Sequence, residues 1–347
     1  MGIVTMRNAL GLMLASVVAA VVIAGVWFWT SSPRAEVAPP QTIAARKAEP
    51  LPPAAKPAKD DVQVTASLTK PAPLPAPAPV APVQQKSTCA NPNALGVART
   101  VVIDTSGGPG FGFEHFKQLD FLTDKEVVLT FDDGPWPNNT AAVLKALAAE
   151  CTKGLFFSVG KHASYHPEIL KQVLAAGHTV GTHTFSHVNL NSKKMTEQQV
   201  RDELEKGFSA VKMALGQAPA PFFRFPQLQH NPAAMTYLGT RNVAMFSTDL
   251  DSFDFRSQNA DQIVNTVMTK VDKLGKGIIL MHDFQKHTAE ALPELLKQLK
   301  DGGYKVVHMR AKGTVSTMAK YDELMKKEAK LPTVDQRPTA AVVRTVD

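Results

Sequence analysis

The chain has 347 residues, a formal net charge of +7, a hydrophobic fraction of 44% and only two cysteines. That length has room for more than one domain, and the hydrophobic fraction suits a globular protein. A basic balance suits an anionic partner such as a cell-wall polymer or a membrane surface. Nucleic acid fits poorly, because no concentrated basic–aromatic motif is present.

Residues 9–30, ALGLMLASVVAAVVIAGVWFWT, carry no charge and are almost wholly apolar. At a rise of about 1.5 Å per residue a helix of that run reaches roughly 30 Å, enough to cross a bilayer. A cleavable signal sequence is the competing reading, since Arg7 precedes the run. Its apolar region is usually only about 7–15 residues, and no clean small-x-small cleavage site follows Trp29. Trp27, Phe28 and Trp29 fit an interfacial aromatic belt. The expectation is an uncleaved membrane anchor over 1–30. Either way the chain is exported, its bulk in the periplasm or another extracytoplasmic space, or secreted if the segment is removed.

Residues 31–88 are dominated by Pro, Ala, Val and Lys, as in KPAPLPAPAPVAPVQQK. Such a segment has too little to bury and is expected to be a disordered tether. As polyproline II, at about 3.1 Å per residue, it would reach beyond roughly 100 Å. Cys89 and Cys151 either pair in an oxidising compartment or are two unrelated thiols, and their context is neither a zinc ribbon nor a CxxC redox site.

From residue 89 to about 312 the composition is globular. The glycine-rich GGPGFGF (107–113) lacks the Lys-Ser/Thr of a phosphate loop and is interrupted by Pro109, so a loop packing Phe111 and Phe113 on the core is expected. Apolar runs predict strands over 126–132, 154–159, 178–182, 221–225, 243–248, 277–282 and 304–309. Between them helices are expected over 139–150, 163–176, 196–216, 260–274 and 288–300, with Gly216 at a C-cap. Strand–helix alternation with seven strands implies a parallel sheet, and at this length a closed or distorted barrel. The tail over 313–347 is charged and expected to be partly loose.

In such a fold catalytic groups belong at the carboxyl ends of the strands. The first predicted strand ends in Asp132-Asp133, the third runs into His183-Thr184-Phe185-Ser186-His187, and the fourth carries Arg224 before Pro226. The fifth leads to Asp249, Asp251 and Asp254, and the sixth delivers His282-Asp283. Five of the seven predicted strands therefore offer ionisable groups on one rim. On a continued strand the α-carbons of His183 and His187 would lie about 13 Å apart. A helical turn after His183 would bring them to about 6 Å with both rings facing one way. Two imidazoles and a carboxylate make a facial metal site with open positions.

TFDDGP (130–135), HTFSH (183–187), RFP (224–226) and ILMHD (279–283) occur in the order and at roughly the spacing of the polysaccharide deacetylase family, the NodB-homology group of carbohydrate esterases, which the chain resembles over about 120–312. The resemblance implies a distorted (β/α) barrel that removes acetyl groups from glycans with a divalent metal, most often zinc, with cobalt also possible. By position it implies Asp133, His183 and His187 as metal ligands and Asp132 as general base, held by Arg224. It implies His282 as general acid, tuned by Asp254, and Leu280 beside the acetyl methyl. The backbone N–H of Gln227, after Pro226, would complete the oxyanion site. Two departures touch the substrate groove: Gln227 where the family often has Tyr or Gly, and Phe255 where it usually has Trp.

Asp251 reads as a stabiliser of its own loop, Asp283 as a supporting group or cap, and His178 as structural. Trp136 and His287 are candidates for a sugar platform and a polar rim. The expected function is metal-dependent removal of acetyl groups, foremost the N-acetyl of N-acetylglucosamine units, from an envelope polysaccharide such as peptidoglycan. Exopolysaccharide or chitooligosaccharide are alternatives, as is a catalytically silent glycan-binding protein. The membrane and an acetylated glycan are the expected partners; no obligate protein partner is implied.

Overall fold

The structure is a computed structural model and describes residues 89–329 apart from Gln118. The expected anchor at 1–30 and the tether at 31–88 lie outside the described residues. Within them no helix is long and apolar enough to cross a membrane.

Ten strands are present among the described residues: β1 (Arg99–Ile103), β2 (Gly110–Phe111), β3 (Glu126–Asp132), β4 (Leu155–Ser158), β5 (Thr179–Thr182), β6 (Phe222–Arg224), β7 (Ala244–Phe246), β8 (Leu250–Asp251), β9 (Gly277–His282) and β10 (Lys305–Ala311). Helices α1 (Asn139–Ala149), α2 (Gly160–Tyr165), α3 (Pro167–Ala175), α4 (Glu197–Leu215), α5 (Pro232–Thr240), α6 (Ala260–Leu274), α7 (Lys286–Asp301) and α8 (Ala319–Ala329) connect or follow them. Every pairing is parallel. One sheet runs β1-β10-β3-β4-β5-β6-β7-β2, and β9 pairs with both β3 and β8. This is a parallel-strand α/β fold.

All seven residues of β3 are buried, because the strand is covered on both faces. Val127, Leu129 and Phe131 pack outward with Val143 and Leu147 of α1, Ile263 and Val267 of α6, and Leu292 and Leu295 of α7. Val128 faces inward, with Phe157, Phe222, Phe246 and Ile278. Full burial of each such side chain is worth about 1.5–3 kcal/mol, so strands with apolar residues on both faces specify this two-sided layer.

Helix boundaries follow local chemistry. Thr196 and Gln199 form a reciprocal capping box ahead of α4, and Gly216 closes it in the left-handed conformation at φ 76°. Asn259 caps α6, and Gly275 ends it at φ 77°. The single helix expected over 163–176 is instead two, α2 and α3. Pro167 has no N–H and pushes the residue before it out of helical geometry, and His166 sits at φ −132°, ψ 53°.

Sequence patterning passed over β1, β2, β8, α5 and α8. Strands β2 and β8 are two residues each, too short to show a period, and β1 is a largely exposed edge. Helix α8 lies in the tail expected to be partly loose; Lys212 of α4 holds Asp322 at 2.8 Å, and Tyr321 donates to Asp202 at 2.7 Å. The expectation for GGPGFGF holds only in part. Phe111 is buried and pairs into the sheet beside Phe246, whereas Phe113 is 38% exposed.

A side chain bridges β2 and β9, strands that do not pair with each other. Asp249 accepts the N–H of Phe113, just past β2, at 2.5 Å and that of Ile278 in β9 at 2.7 Å. Burial raises the Asp249 pKa, with the two backbone donors opposing that shift. Asp249 therefore belongs to this seam and not to the rim of ionisable groups. Cys89 and Cys151 form a disulfide with α-carbons 5.8 Å apart, fastening the start of the described chain to the end of α1.

Candidate active site

Strand β3 delivers Asp132 inward at its last residue, and the chain then turns through Asp133 in the left-handed region at φ 74°. That turn lets two consecutive carboxylates serve one site, although on a continued strand they would face opposite sides. Asp283 holds the turn from behind: it accepts the Gly134 N–H at 3.0 Å and the Thr140 hydroxyl at 2.6 Å, and burial pushes it up to about 7. His162 of α2 holds the turn from the side, its Nδ1 on the Asp133 carbonyl at 2.6 Å.

Strand β5 ends at Thr182, and the following HTFSH segment is an irregular bend rather than the helical turn considered from sequence. Thr184 and His187 both take positive φ, 62° and 58°. Glu203 of α4 fixes the bend by accepting the N–H and hydroxyl of Ser186. The ring centroids of His183 and His187 end 5.0 Å apart. Nδ1 of His183 donates to the Arg224 carbonyl at 2.7 Å, which leaves its Nε2 aimed at Asp133 Oδ1, 3.5 Å away. His187 Nε2 is 3.2 Å from the same oxygen. Burial and the neighbouring His187 keep the His183 pKa well below that of an ordinary imidazole.

The three candidate ligand atoms of Asp133, His183 and His187 lie within 4.8 Å of one another. Asp133 Oδ1 is buried and has no hydrogen-bond donor. An orphaned anionic oxygen facing two imidazole nitrogens is costly without a cation. The residues present therefore fit a divalent metal, with the Arg224 carbonyl setting the tautomer of His183 from the outer shell.

Asp132 stands beside this cluster and is held by a different partner. Fully buried Arg224 donates to Asp132 Oδ1 at 2.8 Å, to Thr130 at 2.8 Å and to the Ser247 carbonyl at 2.8 Å, with its guanidinium stacked 4.4 Å from the Phe157 ring centre. Burial pushes Asp132 up to about 6 despite Arg224. Across the β3–β9 ladder Asp132 is in register with His282. His282 Nδ1 is 2.6 Å from Asp254 Oδ1, while Asp254 Oδ2 accepts the His282 N–H at 2.7 Å and the Thr288 hydroxyl at 2.5 Å. Burial disfavours the imidazolium, but the hydrogen bond and charge of Asp254 outweigh it and push His282 up to about 10.

Leu280 is two residues before His282 on β9, on the same face, and is buried. Gln227, after Pro226, takes φ 57°, and its backbone N–H carries no hydrogen bond among the described residues. Asp133, Thr184, His187, Gln227, Leu228 and Phe253 all adopt positive φ around this one site. Such non-glycine residues cost about 1 kcal/mol or more each and gather where geometry is imposed by function.

Other readings settle individually. Asp251 accepts the Phe253 N–H at 2.8 Å and so holds its own loop. His178 is buried and accepts the Gly154 N–H at 3.1 Å, a structural role. His287 pairs with Glu290 at 3.0 Å on the first turn of α7. Trp136 is 39% exposed and lies edge-on to His162 and Phe284, with centroids 5.2 and 6.4 Å away. Sequence reading singled out neither His162 nor Glu203. Neither sits at a strand end, so strand position carried no signal for them.

A parallel α/β protein with a candidate metal centre at the carboxyl ends of its strands is the class these features define. The polysaccharide deacetylase family matches residues 122–244. The chain is 31% identical over 186 residues to a peptidoglycan-N-acetylglucosamine deacetylase of Bacillus cereus, a match covering 52% of this chain and 66% of that protein. It is 30% identical over 211 residues to a chitooligosaccharide deacetylase of Sinorhizobium fredii, covering 54% and 95% respectively. Among solved structures it resembles a Bdellovibrio bacteriovorus peptidoglycan deacetylase with TM-score 0.56 and 34% identity, over 62% of this chain and 59% of that one. The chain thus spans just under two thirds of the Bacillus protein. It belongs to the polysaccharide deacetylase family.

Proposed function

We propose that the protein removes acetyl groups, foremost the N-acetyl of N-acetylglucosamine units, from a cell-envelope polysaccharide such as peptidoglycan. The observation that carries this reading is the in-register pair Asp132 and His282, each held by its own partner and both flanking the Asp133–His183–His187 cluster. A divalent metal bound there, zinc foremost, would polarise the acetyl carbonyl and make water nucleophilic at neutral pH.

The chain's own residues supply the rest. Asp132, kept ionised beside Arg224, accepts the proton of the attacking water. The Gln227 N–H is placed to donate to the developing oxyanion. His282, kept protonated by Asp254, gives its proton to the sugar nitrogen, which cannot leave as an anion. Leu280 lines the floor under the acetyl methyl. The curled sheet, sealed by Asp249, is read as the family's distorted (β/α) barrel. The uncharged run at 9–30 and the Pro/Ala-rich 31–88 support a membrane anchor and tether that hold the 89–312 domain in the periplasm or another extracytoplasmic space, with 313–347 as a tail.

Acetate release from N-acetylglucosamine oligomers, peptidoglycan and acetylated exopolysaccharide, with and without chelator, tests the reading. Release that stops with chelator and returns with zinc or cobalt is expected. No release from any of these glycans with metal restored would overturn it.

A further inference from the structure

Beyond His282 the site opens onto a short, rigid turn. Asp254 points inward from it and is buried, whereas Phe253 and Phe255 are 38% and 46% exposed. Phe255 lies edge-on to His282, with centroids 5.8 Å apart, and packs edge-on against Phe253 at 6.2 Å. The guanidinium carbon of Arg256 is 5.0 Å from the Phe255 ring centre and 5.4 Å from that of Phe253. On the other side Lys270 sits 3.8 Å from the Phe253 ring centre while donating to the Asp251 carbonyl at 2.6 Å. The turn is pinned by Asp251 and Ser252, which accept the N–H groups of Phe253 and Asp254, and by the Arg256 N–H on the Phe253 carbonyl.

Two features here are unexplained by deacetylation alone. Exposed phenylalanines would ordinarily be buried, yet both are held out at the rim. The Arg256 guanidinium is stacked on them and carries no side-chain hydrogen bond or ion pair among the described residues. A planar guanidinium fork matches a carboxylate in a two-bond pairing, and stacking on aromatic rings pre-organises it at little further entropic cost. The rings also exclude water from one face, which strengthens the pairing relative to an open surface.

We propose that Arg256, on its Phe253–Phe255 platform, binds a carboxylate on a sugar flanking the one that reacts, so that the site selects an acidic glycan over a neutral one. This rests on the deacetylase reading above and names the substrate class of that same site. A glycan lying across His282 and Phe255 brings its next substituent over the guanidinium. The carboxylate is the lactyl group of a muramic-type sugar or the end of a short peptide attached to it.

The test uses the full chain and four probes. These are a tetrasaccharide of alternating N-acetylglucosamine and N-acetylmuramic acid, the same tetrasaccharide with peptide stems, and the methyl ester of each. Binding is measured by calorimetry in chelator, and acetate release separately with metal. The expected result is about tenfold tighter binding of an acid than of its ester, with that preference lost in Arg256→Gln and partly restored in Arg256→Lys. The arm that shows the preference names which carboxylate is read. Equal binding of acid and ester by the unsubstituted protein, or an undiminished preference in Arg256→Gln, would overturn the proposal. Absence of acetate release with the binding preference intact would overturn the deacetylase reading instead and leave the carboxylate site standing.

Discussion

Asp132 and Asp133 are neighbours in sequence with separate duties in the proposed mechanism, and substitution separates them. Asp132→Asn is expected to lower turnover by at least about 10²-fold, in the range typical of a lost general base, while metal content measured by atomic absorption is unchanged. Asp133→Ala is expected to lose the metal. Loss of metal from the Asp132 variant would contradict this division. The pH profile follows from the same groups. Asp132 acts ionised and, pushed up by burial, titrates at about 6; His282 acts protonated and, held by Asp254, titrates at about 10. Activity therefore rises through about pH 6 and falls through about pH 10. Asp254→Asn removes the charge that sustains the imidazolium, so the alkaline limb should move to lower pH; a limb that stays put would assign the proton donor to another group. At this scale the sequence showed which side chains stand at strand ends. It could not show that Asp133, Thr184 and His187 adopt left-handed backbone, because that geometry is imposed by Asp283, His162 and Glu203 from distant elements.

The long apolar strands and capped helices were legible as elements because their periodicity and end residues agree with their final environment, as for β3 and α4. What escaped were pieces defined by tertiary pairing. Asp249 looked like one of several rim carboxylates but bridges the residue just past β2 to β9. Asp249→Ala would leave the part-buried Ile278 N–H without an acceptor, at about 1–3 kcal/mol, while the Phe113 N–H turns to water, and urea unfolding should show a loss of that order. An unchanged midpoint would mean the neighbouring strands seal the seam by themselves. The disulfide closes a sequence separation of 62 residues, for which chain entropy gives about 4 kcal/mol; Cys89→Ser with Cys151→Ser should lower stability by up to that amount. His178 adds a pH term. Burial lowers its pKa to about 3 in the fold, so between that value and about 6.5 the unfolded chain binds more protons. Stability should fall as pH drops through that window, and His178→Gln should flatten the slope of melting temperature against pH.

For the whole molecule, the proposed anchor and tether would confine the site to a shell around the membrane while leaving its chemistry unchanged. Deleting residues 1–30 should shift the protein from the membrane to the soluble fraction after cell fractionation, and soluble protein from the full-length chain would refute the anchor. One feature of the fold sets a limit on how such a site can vary. Asp132 and His282 are rungs of the same ladder, on strands whose spacing of about 4.8 Å is common to all sheets. The separation of their backbones is therefore gauged by strand pairing, while Arg224 and Asp254 aim the carboxylate and the imidazole across it. A slip of one residue would turn one of the pair to the far side of the sheet, and the buried run around it forbids that slip. A folded but misaligned catalyst is thus not an accessible state: variants in β3 or β9 should either keep the alignment or fail to fold.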